Sequence, residues 1–155
     1  MKPLIQQIEN EFQRRFNDDY ILVKSPARVN LIGGHTDYND GFVLPVAVDK
    51  SIYLAMAQNQ SDKYRIYAID KKDYYETQVS DDLSKSDQGW PNYLLGVIYE
   101  LRKHGYESSG FNCVFSGNVP IGAGMSSSAA LFGLGLFKMD MPRIGQNVEN
   151  HFVGV

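Results

Sequence analysis

Between residues 111 and 131 a strand pattern, a glycine- and serine-rich loop and a helix start follow one another without a break. Phe111-Asn112-Cys113-Val114-Phe115 alternates as a half-buried strand does. Gly117 to Ser128 has the composition of a loop, and Ala129-Ala130-Leu131 are good helix formers. A chain built this way presents bare backbone at a helix N-terminus. N–H groups and the helix dipole attract phosphate there, and a serine hydroxyl is suited to a phosphate-bound Mg²⁺. The loop is not a Walker A loop, because the Gly-Lys-Ser/Thr ending is absent. On residue types alone, a plain solvated loop with a serine N-cap stays open as the alternative.

The remaining segments read as an α+β chain. Leu4, Ile5, Ile8, Phe12 and Phe16 recur at spacings of three and four, which predicts an amphipathic helix lying on a sheet. Short β-branched and aromatic runs follow at 20–23, 29–32, 42–48 and 51–57, with a polar turn-rich loop, Gly33 to Gly41, among them. Tyr64 to Ile69 and Tyr74 to Val79 predict a strand pair about Asp70-Lys71-Lys72-Asp73, and Ser80 to Gln88 is a polar connector. A helix begins near Trp90-Pro91, turns Leu94, Leu95, Ile98 and Leu101 inward, and stops at Lys103-His104-Gly105. A last helix is expected from Asp140 through Ile144, Val148 and Glu149. No internal repeat or low-complexity tract occurs, and the order of elements predicts a mixed or mostly antiparallel sheet packed with helices.

Composition narrows the function classes. At 155 residues the chain fits a single domain, with 43% hydrophobic residues and a formal charge of −3, a balance that argues against nucleic acid as a partner. The single cysteine, Cys113, rules out an internal disulfide framework and points to a reducing, cytoplasmic setting. No apolar run of about 18 residues predicts a membrane helix, and the first residues lack a signal-peptide core.

A second constellation is Ser25-Pro26-Ala27-Arg28-Val29-Asn30-Leu31-Ile32-Gly33-Gly34-His35-Thr36-Asp37-Tyr38. A loop carboxylate such as Asp37 is suited to accept two sugar hydroxyls, and Arg28 to stabilise charge developing on a phosphoryl group. Each also has a plain reading: a turn residue, a surface cation, and in His35 a solvated loop histidine.

The whole strings carry more than their parts. Pro120 to Ala130 resembles the phosphate-binding motif of the GHMP kinases, Pro-x-Gly-x-Gly-Leu-Ser-Ser-Ser-Ala, with Met125 as the one change. The run from Arg28 to Tyr38 resembles the signature that sets galactokinases apart within that family. The resemblance implies a GHMP-kinase N-terminal domain, of the ribosomal protein S5 domain 2-like fold. It also implies phosphorylation of galactose at its C1 hydroxyl by ATP. Arg28 would then stabilise the transition state, and Gly34, His35, Thr36 and Asp37 would line the galactose site. Gly122, Ala123, Gly124, Met125, Ser126, Ser127 and Ser128 would hold the ATP phosphates. Val148-Glu149-Asn150-His151-Phe152-Val153-Gly154 resembles a further family segment, by which Glu149 would share Mg²⁺ with Ser128.

On this resemblance, 1–155 form one N-terminal domain, with a galactose-binding region near 8–60 and a phosphate-loop region near 90–155. Three departures are expected to matter. Gly34 stands where the family carries a sugar-contacting glutamate, a charged acceptor worth roughly 1.5–3 kcal/mol. The family helix after the serines is shortened by about three turns, on the order of ten residues, because Leu131 leads directly into Phe132-Gly133-Leu134-Gly135. The segment holding the family's catalytic-base aspartate, and the C-terminal GHMP domain, are missing. The expectation is an impaired or inactive kinase, with a non-catalytic galactose or ATP sensor or a non-functional fragment as the alternatives.

Overall fold

The computed structural model describes residues 2–32, 42, 44–80, 82–107 and 109–120. The helices expected after Ser128 and from Asp140 lie outside the described residues. The described elements are α1 (Lys2–Phe16), β1 (Ile21–Ile32), β2 (Leu44–Gln58), β3 (Lys63–Ala68), β4 (Asp73–Gln78), α2 (Pro91–Lys103) and β5 (Phe111–Gly117). The five strands form one mixed sheet in the order β1-β2-β5-β3-β4. Every pairing is antiparallel except that of β3 with β5.

Alternation along the central strands divides two cores between the two faces. On one face Ile8 and Phe12 of α1 pack on Tyr53, Ala55 and Val114. Phe12 also stacks against Phe16 and Tyr20, with centroids 5.2 and 5.0 Å away, and the Arg15 guanidinium sits 3.3 Å above the Tyr67 ring. The helix ends where Asn17 takes a positive φ of 48°, its N–H returning to the Gln13 carbonyl at 3.0 Å.

The opposite face carries α2. Leu94 packs on Ile52, Leu54, Ile66 and Cys113, while Leu95, Val97 and Ile98 close around Tyr64 and Leu83. Pro91 opens this helix, and its end is a Schellman turn about Gly105, φ 82°, in which Tyr106 N–H bonds to Leu101 O and Gly105 N–H to Arg102 O. Asn92 fastens the preceding connector by accepting from Ser86 N–H at 2.7 Å and donating to Ser86 O at 3.0 Å. Burial of Val97 and of Glu100, 2% exposed and paired with Lys103, shows α2 covered beyond the inward stripe that its periodicity predicts.

The four short runs expected between 20 and 57 are two long strands. Polar Lys24 and Ser25 and the ring of Pro26 interrupt the apolar pattern, yet the ladder runs on, because an edge strand tolerates proline. Its register shifts there. Pro26 faces Ser51 and Arg28 faces Ala47, so Val48, Asp49 and Lys50 oppose Ala27 alone. β2 begins at Leu44, leaving Phe42 outside the strand and 99% exposed. Among the described residues no helix is long and apolar enough to cross a membrane.

Candidate functional site

Both β1 and β5 pair antiparallel with β2, so they run in the same direction on either side of it. Pro26 faces Ser51 and Gly117 faces Ile52, which puts the two strands level at that point. Beyond it β1 carries Arg28 onward, while β5 gives way to Asn118-Val119-Pro120. The sheet thus delivers Arg28 and the start of the glycine-rich sequence to one end, two strand spacings or about 10 Å apart.

Arg28 is half-buried just past the register shift, and its Nε is buried with no hydrogen-bond partner. A native fold seldom leaves such a donor unmet, and a bound anion is the group that matches it. Ser51 Oγ, two residues back along the ladder, is likewise buried and unpartnered. Of the residues expected at the site, Arg28 alone is described; Gly34, His35, Thr36, Asp37, the loop Gly122 to Ser128, and Glu149 lie outside the described residues. No cluster of metal-ligating side chains occurs among the described residues.

Cys113 lies in the middle of β5, fully buried, and burial pushes its thiol far above the ordinary range. An inert core thiol agrees with its place in the strand pattern.

Two residues at the site end escaped the sequence reading. Asn118 takes part in two bonds with Ser51: its Oδ1 accepts Ser51 N–H at 2.8 Å, and its own N–H donates to Ser51 O at 3.2 Å. Asp70 accepts from Ser116 Oγ at 2.7 Å and from Gly117 N–H at 3.1 Å. Their partners lie 67 and 46 positions away in the chain, so no local pattern marks either one.

Two family models match this chain. The galactokinase galactose-binding signature matches residues 10–58, and the GHMP kinases N-terminal domain matches residues 92–155. A galactokinase of Thermosipho africanus is 44% identical over 144 residues, covering 86% of this chain and 39% of the relative. One from Roseiflexus is 38% identical over 161 residues, covering 94% and 41%. The chain therefore spans about two fifths of the length of these relatives. Among solved structures, Lactococcus lactis galactokinase complexed with galactose superposes with a TM-score of 0.86 at 29% identity, covering 97% of this chain and 43% of that one. Methanococcus jannaschii mevalonate kinase shares the fold at a TM-score of 0.70 and 20% identity, covering 85% and 46%. With both models matched and galactokinases among its relatives, the chain belongs to the GHMP kinase family and corresponds to the N-terminal portion of its galactokinase branch.

Proposed function

We propose that this chain carries the galactose and ATP half-sites of a galactokinase, which transfers the γ-phosphoryl group of ATP to the C1 hydroxyl of galactose. The observation that carries the reading is Arg28: a guanidinium with a buried, unpartnered Nε, inside the matched galactose-binding signature and at the sheet end where β5 leads into the phosphate-loop sequence. In the transfer, the sugar oxygen bonds to the γ-phosphorus, the bond to the β,γ-bridging oxygen breaks, and the hydroxyl proton leaves to a base or to solvent. Negative charge spreads over the equatorial oxygens, and a fixed guanidinium stabilises it without reorganising.

In this reading His35, Thr36 and Asp37 hold galactose, with Gly34 leaving one sugar hydroxyl without a carboxylate partner. Gly122 to Ser128 hold the phosphates. Mg²⁺ would be held by Ser128 and Glu149, and would neutralise charge between the β- and γ-phosphates.

A second reading, ligand binding without turnover, is favoured by positions absent from within this chain relative to the Roseiflexus enzyme. The 161-position match to the Roseiflexus enzyme exceeds the chain's 155 residues, which supports residues missing from within this chain relative to that enzyme. Melting with and without Mg-ATP and galactose, followed by a galactose 1-phosphate assay, separates these readings. The kinase reading expects a rise in Tm with each ligand and product that Arg28→Ala reduces by about 100-fold. Ligand-dependent stabilisation without product establishes the binding reading, and no shift with either ligand overturns both.

A further inference from the structure

The exit of β5 is held by more bonds than the end of a strand requires. Gly117 pairs with Ile52, and Asn118 then engages Ser51 through both its side chain and its backbone. From the neighbouring β3–β4 turn, the Asp70 carboxylate takes Ser116 Oγ with one oxygen and Gly117 N–H with the other. The junction is also tight. A Cβ on Gly117 would lie 3.0 Å from Ile52 Cγ1 and 3.2 Å from the Ser51 carbonyl oxygen.

Both Asn118 bonds end on Ser51, which is also the last regular partner of β1 before the register shift. Pro26 faces it, and two residues further Arg28 has moved to face Ala47. A short path therefore joins the root of the glycine-rich sequence to the candidate arginine: Asn118 to Ser51, Ser51 to Pro26, and along β1 to Arg28. Neither Asn118 nor Asp70 is needed to fill a core, since both are exposed.

We propose that Asn118 is a positioning residue that fixes the spacing between Arg28 and the exit of β5 at Gly117 to Pro120, which Asp70 braces at Ser116 and Gly117. This rests on the nucleotide reading given above. Its role is geometric: a displacement on the order of 1 Å between a guanidinium and a phosphoryl group is enough to cost up to about 100-fold in rate.

The test measures Mg-ATP and galactose binding separately, by calorimetry on the full chain and on Asn118→Ala, Asp70→Ala, Asp70→Asn, Arg28→Ala and the Asn118→Ala/Arg28→Ala double variant. The expected result is about ten-fold weaker Mg-ATP binding for Asn118→Ala and Asp70→Ala, with galactose binding held within about two-fold. Asp70→Asn, which keeps an oxygen acceptor for Gly117 N–H, recovers most of the loss. In the double variant Asn118→Ala adds nothing to Arg28→Ala, because the first acts through the second. Lowered Tm with unchanged Mg-ATP affinity overturns the proposal, and so does an additive double variant. Should Asn118→Ala not fold, Asn118→Ser, which keeps a small polar side chain beside the unchanged backbone bond, carries the same expectations. A wild-type chain that binds no Mg-ATP overturns the nucleotide reading and this proposal with it, whereas binding that the variants leave intact overturns this proposal alone.

Discussion

Glu76 gathers three donors on the outer face of the β3–β4 hairpin. Lys63 Nζ lies 2.5 Å away, Arg65 Nε 3.0 Å and the Tyr74 hydroxyl 3.1 Å. These bonds, that of Lys63 first, hold its carboxyl down at about 2, against an ordinary value of 4.5. The Tyr74 hydroxyl is pushed up, by desolvation first and then by its bond to Glu76. A depressed folded pKa contributes stability that is complete above 4.5 and is lost as pH falls toward 2, so the neutral range is unaffected. Solvent exposure keeps the contribution small. A carbon-detected NMR titration is expected to show the Glu76 carboxyl with a midpoint near 2, and Glu76→Gln is expected to flatten the acid limb of the stability curve between 4.5 and 2. A midpoint near 4.5 would mean that the three donors do not hold the carboxylate in solution.

The crossover from β2 to β3 turns on a side chain and a glycine. Asn59 Oδ1 accepts from Ser61 N–H and Oγ, while its amide donates to the Lys63 carbonyl and to Asn112 Oδ1. Gly110, just before β5, packs beneath this turn so closely that a Cβ would stand 1.9 Å from the Ser61 carbonyl oxygen. Gly110→Ala therefore has to push the turn off β5, and its expected cost is about 1–3 kcal/mol. Urea unfolding checks this: the midpoint falls and the m-value holds if packing alone has changed. The element scale also separates what the sequence discloses from what it withholds. The limits of α2 are legible because proline at its start and glycine past its end act on their own neighbours. The continuity of β1 through Pro26 is not, because an edge position is a property of the whole sheet. Arg28 stands out in its string, yet its orphaned Nε is visible only in the folded structure. The clasp of Asn118 and Asp70 joins distant segments through short polar residues that look like turn formers along the chain.

At the scale of the molecule, β5 is the strand that makes one sheet out of two pairs. β1 and β2 form one antiparallel pair and β3 and β4 another, and β5 hydrogen-bonds to β2 on one side and β3 on the other. Cys113, at the centre of β5 and 0% exposed, is a built-in reporter of that insertion. Its thiol is expected to resist Ellman's reagent in the native chain and to react at the rate of unfolding. Rapid reaction under native conditions would show that β5 leaves the sheet far more readily than its burial implies. The same arrangement constrains synthesis of the protein. A ribosome delivers both strand pairs, and the helices that pack on them, before residue 111, and they must wait, with the facing edges of β2 and β3 unpaired, for the strand that joins them. Folding is then paced by a late, long-range insertion, and the half-made chain is the species most in need of a chaperone.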